Sequence, residues 1–316
     1  MKYCVIFFLF ILVYSSNAQK KFSKEFRFIT DNDLYISIYK DRYYTSGVFF
    51  EYSFLKKHNN IKLSKKIIDL SLNQNIFTPI KPNTRNKGDH DRPFAGYFYG
   101  SFGVRNVYKK EAILGFSFQI GTLGSKSYAE ELQRFIHNFF NFADITDWDY
   151  QIRDALAVNL RVDYTTNLYT NKNNTFDFGW TSKTNIGTIF TNLSAGLYTR
   201  FGLKQLQEII NSVGFYSNLN NANTITLNES ESFIYVKPSL RLAFYDATLQ
   251  GSFLNTSSPV TKDLNPLVLD IDVGFRYIKK RFNFGYAIHF YSNKSKGLQT
   301  NEINRYGTIA LGYLFN

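Results

Sequence analysis

The sequence predicts an all-β chain: a twelve-stranded antiparallel transmembrane β-barrel with a short amphipathic helix between strands 5 and 6. Three observations carry that prediction. Segments of about ten residues alternate between apolar and polar positions, as strands with one apolar face do. Past residue 18 no stretch approaches the ~18 uninterrupted apolar residues of a helical span, and mean hydropathy is only -0.26. Yet 18% of the 316 residues are aromatic, with 23 Tyr and 32 Phe. A barrel in lipid accounts for both facts, because it turns rings outward and collects them in girdles at the two interfaces.

Taken in order, residues 1–18 read as a signal peptide. Lys2 precedes an apolar run from Val5 to Tyr14, and Ser16-Asn17-Ala18 has the small-x-small character of a cleavage site. The run is about ten residues long, where a spanning helix needs ~20. Residues 19–316 are expected to form a single outer-membrane barrel domain. They hold 36 basic and 25 acidic residues, a formal charge of +11, and no sulfur, since Cys4 and Met1 are the only sulfur residues. Disulfides, thiol nucleophiles and Cys-ligated metals are thereby excluded from the mature chain.

The candidate strands are Glu25–Asp31, Tyr43–Phe54, Lys66–Phe77, Ala95–Val107, Glu111–Gly121, Arg153–Leu168, Thr175–Ile186, Asn192–Phe201, Ser232–Phe244, Leu267–Lys279, Arg281–Asn293 and Tyr306–Phe315. Alternation is clearest from Leu156, where Leu156, Val158, Leu160, Val162 and Tyr164 share one face and Ala157, Asn159, Arg161, Asp163 and Thr165 the other. A soluble sandwich would use the same pattern with its apolar face inward. Length separates the two, since soluble strands run ~5 to 6 residues and membrane-spanning ones ~9 to 11. An even strand number suits a single-chain bacterial barrel. Lys279-Lys280 fits a short periplasmic turn, while Lys81–Asp91, Leu203–Ser230, Leu254–Asn265 and Asn293–Asn304 fit longer outer loops. The aromatic-ended Gly312-Tyr313-Leu314-Phe315-Asn316 suits a last strand used in outer-membrane assembly.

Between Lys126 and Phe142 the period changes. Leu132, Phe135, Ile136, Phe139 and Phe140 recur at three and four residues, which is helical spacing. Gln133 and His137, four apart, share one helix face.

Most chemical signatures are missing: no Gly-x-Ser-x-Gly, no His-Glu-x-x-His, no phosphate-cradling Gly-x-x-x-x-Gly-Lys and no EF-hand loop. The basic total on a secreted barrel points to anionic surface partners before nucleic acid, and scattered solvated loop lysines account for it equally well. Asp31-Asn32-Asp33 clusters oxygens that suit a hard cation such as Ca2+, although an Asn-Asp pair after a strand is more often an Asx turn. Of four histidines (His58, His90, His137, His289), His137 alone lies on the amphipathic helix with a polar partner one turn earlier.

Several blocks in order resemble the outer-membrane lipid A 3'-O-deacylase (LpxR) family. They are Asn32-Asp33; Asp41-Arg42-Tyr43-Tyr44-Thr45-Ser46-Gly47; Gln74-Asn75-Ile76-Phe77-Thr78-Pro79; Asp91-Arg92-Pro93-Phe94-Ala95-Gly96; Gly121-Thr122-Leu123-Gly124; Gln133 to His137; and Trp148-Asp149-Tyr150-Gln151. The likeness is dense over residues 25–154 and looser after, where Thr248-Leu249-Gln250-Gly251 carries it. The resemblance implies a twelve-stranded barrel whose active site lies between wall and outer leaflet, and Ca2+-dependent hydrolysis of the 3'-linked acyloxyacyl ester of lipid A. It implies His137 as general base, Asn32, Asp33 and Thr45 lining the site, Gln133 orienting the base or bonding the intermediate, and Asp33 holding Ca2+. The family's basic residues that would meet substrate phosphates have no clean counterpart, though Lys81, Arg85 and Lys87 occupy the matching loop and are, with Arg92, the candidate substrate-binding residues.

The chain also departs from the family pattern. Ser125 stands where Pro is usual, Tyr128 and Ala129 stand where glycines are expected, and the acidic position six after the His falls on Ala143, with Asp144 as the neighbouring candidate metal ligand. The expected setting is the Gram-negative outer membrane, as a monomer among outer-membrane lipids with lipopolysaccharide as substrate. The alternatives are a non-enzymatic porin or structural barrel and an outer-membrane phospholipase.

Overall fold

The computed structural model describes residues 22–36, 43–81, 83, 86–142, 145–215, 217–220, 224, 230–296, 298 and 303–316. The expected signal peptide, Asp41, Arg42, Arg85, Ala143 and Asp144 lie outside the described residues. The strands are β1 (Lys24–Asn32), β2 (Tyr43–Leu55), β3 (Leu63–Thr78), β4 (Ala95–Tyr108), β5 (Ala112–Leu123), β6 (Ala155–Thr170), β7 (Phe176–Gly187), β8 (Phe190–Gly202), β9 (Ser230–Asp246), β10 (Leu267–Lys279), β11 (Phe282–Tyr291) and β12 (Asn304–Phe315). Each pairs with its sequence neighbours, and β1 closes on β12, from Lys24 opposite Phe315 to Asn32 opposite Gly307. Closure leaves no strand edge unpaired, which a hydrocarbon solvent requires. Two helices are inserted: α1 (Ala129–Phe140) between β5 and β6, and the one-turn α2 (Ala247–Gln250) after β9. The predicted fold class, strand count and helix position are all observed.

Side-chain direction decides between barrel and sandwich. Leu156 and Leu160 are 58% and 57% exposed, whereas Asn159 on the opposite face is fully enclosed. The apolar face therefore points out and the polar face lines the lumen. Inside, charges neutralise one another. Arg105 Nε donates to Asp69 Oδ2 at 2.7 Å, Arg161 Nε to Asp163 Oδ2 at 2.8 Å, and Arg27 meets Glu51 and Arg241 meets Asp270.

Strand parity places the connections. Both described chain ends lie at the start of β1 and the end of β12, so every connection after an even-numbered strand falls at that end. Those after β2, β4, β6 and β10 are short, which marks the end as periplasmic. The connection after β8 belongs there too, so the expectation of an outer loop at Leu203–Ser230 is corrected. Leu206 N–H donates to Asn174 O in the β6–β7 turn at 2.6 Å, and Asn220 N–H to Phe22 O at 3.0 Å.

The segment then turns into the lumen as a plug. Leu206, Ile209, Ile210, Val213, Phe215 and Leu219 pack on inward-facing Ile67, Val107, Tyr198 and Phe233. Lys65 clamps it from β3, donating to Ile210 O at 2.9 Å, Asn211 Oδ1 at 3.0 Å and Asn220 Oδ1 at 2.7 Å. The physical reason is composition, since so many aliphatic residues would be costly in water. A second apolar layer spans the outer mouth, with Tyr44, Phe77, Tyr97, Ile152, Ile189 and Ala247 packed together. Between plug and mouth lies a lumenal cavity of about 450 Å³.

Arg200, fully enclosed, ties the plug to β7, β8 and β9: it donates to Asp177 Oδ1 at 3.0 Å, Ser212 Oγ at 3.0 Å, Glu231 Oε1 at 3.2 Å and Gln207 O at 2.8 Å. Arg200→Met leaves two buried carboxylates uncompensated and should cost about 3 to 5 kcal/mol, read as a lower temperature for conversion of the fast-migrating folded band on gels. Planar-bilayer recordings should show no steady conductance from the intact chain and an open channel once residues 205–220 are deleted.

Candidate active site on the outer wall

The outer mouth end of β1 carries Asp31, Asn32 and Asp33 in succession, and alternation sends the first two to opposite faces. Asp31 looks into the lumen, where it accepts hydrogen bonds from Tyr44 OH at 2.7 Å and Thr308 Oγ1 at 2.6 Å. Thr308 is in turn 2.9 Å from His289 Nε2, whose Nδ1 meets Asp272 at 2.7 Å. Asn32 therefore faces outward. Its Oδ1 accepts from Leu34 N–H at 2.8 Å, the Asx geometry that the sequence allows for this pair. Asp33 opens a 3-10 turn and is fully enclosed.

A β-bulge turns Tyr44 inward although the even-numbered Val48 and Phe50 of the same strand point out, and it leaves Thr45 and Ser46 together on the outer face. The β2–β3 register shifts between Tyr44 and Ser46, leaving Thr45 as the extra residue. Tyr44 points inward to Asp31, while Thr45 Oγ1 meets Thr78 Oγ1 of β3 at 2.5 Å. Gly47 is the residue that admits the Tyr44 ring, since a Cβ there would lie 2.3 Å from Tyr44 OH.

The helix reaches the same outer face. Gly124 adopts φ +92, and Ser125 Oγ donates to Asp154 Oδ1 at 2.8 Å, so a side-chain bond fixes the turn where the family pattern has Pro. Tyr128 takes the left-handed conformation at φ 56 that a glycine would adopt without strain. α1 then lies against the wall, with Ala129 packed in a cluster with Ile76, Phe94, Ile145 and Trp148. Gln133 Oε1 accepts from Trp148 Nε1 at 3.0 Å. His137, one turn later and 8% exposed, meets the Phe142 ring edge-on at 5.6 Å. The helix is inverted relative to one in a soluble protein: Gln133 and His137 face the protein, while Phe135 and Phe139 are 67% and 70% exposed toward the bilayer.

Register brings these pieces into one patch. Asn32 pairs with Ser46, Ser46 with Ile76, and Ile76 with Gly96. At ~4.8 Å per strand, β1 lies roughly 10 Å from β3, and α1 covers the β3 and β4 end of that row. Asn32, Thr45, Gln133 and His137 thus share the outer wall beneath the rim, with Asp33 at its edge. The donors on the β1–β2 side are a carboxylate, an amide oxygen and a hydroxyl, a set suited to a hard cation that completes its shell with carbonyl and water oxygens. Among the described residues no group of three or more His, Cys, Asp and Glu gathers, so such a shell would draw on amide, hydroxyl and carbonyl oxygens beside the Asp33 carboxylate.

The expected phosphate contacts fare differently. Lys81 and Lys87 are exposed on the β3–β4 loop. Arg92 is 4% exposed and donates to Tyr43 O at 3.2 Å, Pro93 O at 3.1 Å and Thr248 O at 3.1 Å while lying over the Phe77 ring. It joins the β3–β4 loop to α2 across the mouth, and burial pulls its pKa below the free guanidinium value. These bonds hold its guanidinium within the mouth, away from the exposed Lys81 and Lys87. His90, to which the sequence assigns no role, is fully enclosed, with Nε2 3.4 Å from Asp147 Oδ2 and its ring against Phe94 and Tyr150; its one signal in the sequence is its place beside the Asp91-Arg92-Pro93-Phe94 turn.

Gly96 is the contact on which helix placement turns, since a Cβ there would lie 2.0 Å from Ser127 Oγ and 2.3 Å from Ala129 Cβ. Gly96→Val should therefore lift α1 off the wall. Circular dichroism and gel mobility should stay those of a folded barrel, while Trp148 fluorescence shifts to longer wavelength as its apolar cover opens.

Comparison with known proteins supplies a frame for this geometry. The family model described as "Outer membrane protein LpxR" matches residues 4–315. LpxR from Salmonella typhimurium is similar in structure, with a TM-score of 0.72 at 18% identity over 92% of this chain and 100% of that one. The β domain of the Bordetella autotransporter BrkA gives 0.49 at 9% identity over 94% of this chain and 99% of that one. No curated protein matches the sequence. With the family model spanning nearly its whole length, this chain belongs to the LpxR family of outer-membrane proteins, and its place is the Gram-negative outer membrane.

Proposed function

We propose that the chain is a lipid A deacylase that hydrolyses the 3'-linked acyloxyacyl ester in the outer leaflet, with Ca2+ as cofactor and His137 activating water. The observation that carries this reading is the location of polar side chains. Gln133 and His137 are held under a helix on the lipid-facing wall, beside the outward Asn32 and Thr45. Polar groups at that depth are costly without a task or a partner, and the molecules able to reach them are bilayer lipids.

Imidazole near neutral pH suits the removal of a proton from water as it attacks an ester carbonyl. The water oxygen bonds to the carbonyl carbon, the bond from that carbon to the sugar oxygen breaks, and the proton taken by His137 passes to the departing alkoxide. Gln133, fixed by Trp148, orients the imidazole or bonds the tetrahedral intermediate, and Asn32 and Thr45 supply further polar contacts. Asp33, with neighbouring amide, hydroxyl and carbonyl oxygens, would hold Ca2+, and Asp144 is the second ligand we assign to it. When bound, the cation supplies polarisation of the carbonyl and stabilisation of negative charge on its oxygen. Lys81, Arg85 and Lys87 meet the phosphates.

Mass spectrometry of lipid A from cells expressing the chain should show loss of the 3' acyloxyacyl unit, and an unchanged acyl pattern with Ca2+ present would overturn the reading. His137→Ala should reduce turnover ~100-fold or more with a folded barrel retained; Asp33→Ala should behave like chelation by EDTA. Release of fatty acid from phosphatidylethanolamine in preference to lipid A would move the assignment to a phospholipase.

A further inference from the structure

Below the row of Asn32, Ser46 and Ile76, the next outward row toward the bilayer interior is Thr30, Val48, Gln74 and Phe98, and the one after it is Phe28, Phe50, Leu72 and Gly100. These rows form a furrow of about 350 Å³, roofed by Tyr128 and Leu132 at the start of α1 and walled by Val48, Phe50, Leu72 and Phe98. Gly100 lies in the lower of these rows, and the position of a Cβ there meets nothing closer than Ser71 O at 3.9 Å, so a larger side chain has room to enter. Three polar residues, Asn73, Gln74 and Ser127, also line it; Asn73 and Ser127 donate to Ser71 Oγ and Gly124 O, and Gln74 is the one whose place packing does not explain. Gln74 is 7% exposed, and its Nε2 is enclosed with no hydrogen-bond partner among the described residues. A buried amide donor without an acceptor is destabilising, and no bilayer water reaches this depth to satisfy it.

We propose that the furrow seats the acyl chain being cleaved and that Gln74 donates a hydrogen bond to an oxygen on that chain, the branch ester of a 3-acyloxyacyl group. This rests on the deacylase reading of the site and names what within its substrate is recognised. The geometry fits by rows. Successive outward residues on a strand are roughly 7 Å apart, so Gln74 lies one such step into the bilayer from the level of Asn32. A branch oxygen on the third carbon of an acyl chain sits a few bonds from the scissile carbonyl in the same direction. An unbranched chain would fill the furrow and leave the amide unpaired; an acyloxyacyl chain satisfies it. A site built around a hydrogen bond discriminates against the analogue that lacks the partner more strongly than an apolar pocket discriminates by size.

The test uses the full chain in mixed micelles with Ca2+ and two substrates, lipid A carrying a 3' acyloxyacyl group and lipid A carrying an unbranched 3' acyl group. For wild type, kcat/KM should favour the branched substrate by roughly 10- to 100-fold, the scale set by leaving one buried amide unpaired. Gln74→Leu should remove that preference by lowering kcat/KM for the branched substrate while leaving the unbranched one unchanged or improved. An equal fall for both substrates, or no change in either, would overturn the role given to Gln74. Gly100→Trp, tolerated by the backbone, should raise KM for both by filling the furrow. Should wild type cleave neither substrate, the deacylase reading fails, and the furrow is judged separately. Retention of radiolabelled lipid A in EDTA should then be lost in Gly100→Trp, and equal retention by wild type and variant would overturn the furrow as well.

Discussion

Every other feature of this molecule depends on one constraint: in hydrocarbon, each backbone N–H and C=O must find its partner within the protein. The pairing of β1 with β12 meets it by removing the last free edge. Closure then fixes where the chemistry can be. Twelve strands enclose a lumen that is filled by ion pairs at its polar positions, by the plug between β8 and β9 packed on inward apolar residues, and by the apolar layer at the mouth. A polar interior occupied in this way stabilises the barrel and leaves the outer wall as the surface on which a lipid can be met.

Placing polar groups on that wall without exposing them to hydrocarbon takes two devices. The first is the bulge at Thr45, which breaks strict alternation so that Thr45 and Ser46 both face outward while Tyr44 turns in: Tyr44 holds Asp31 from inside and Thr45 joins Thr78 outside. The second is the inverted helix. α1 spends its most exposed rings, Phe135 and Phe139, on the bilayer and covers Gln133 and His137 against β3 and β4, with Trp148 fixing Gln133. The fit depends on Gly96, and on Ser125 and Tyr128 producing the turn that the family pattern makes with Pro and Gly.

The legible part of the sequence is the part governed by local periodicity. Leu156 to Thr165 shows its strand and its two faces directly, and the spacing from Leu132 to Phe140 shows a helix, because in both cases neighbours in sequence determine the face. What periodicity cannot supply is direction in the third dimension. Period two is silent at Leu203–Ser230: the even count of preceding strands puts the connection at the periplasmic end, and its aliphatic residues turn it into the lumen. Arg92 carries the charge of a phosphate ligand, yet its partners, Tyr43 O and Thr248 O, come from segments far away in sequence. Gln74 lies in the same category. As one residue of a strand with period two it reads as an outward polar exception, and only the furrow around it gives that exception a meaning.

The same reasoning explains why the inward and outward networks meet at one strand end. Asp31 belongs to the lumenal chain that runs through Thr308 and His289 to Asp272, and the next residue, Asn32, belongs to the outer patch. A single peptide unit joins the two, so the interior bonds that hold Asp31 also fix the angle at which Asn32 and Asp33 leave the barrel. The lumen is filled by the plug and the mouth layer, and its hydrogen bonds are still useful to a site outside it. They pin the rim of β1 from behind, where no side chain has to cross the surface that the lipid occupies.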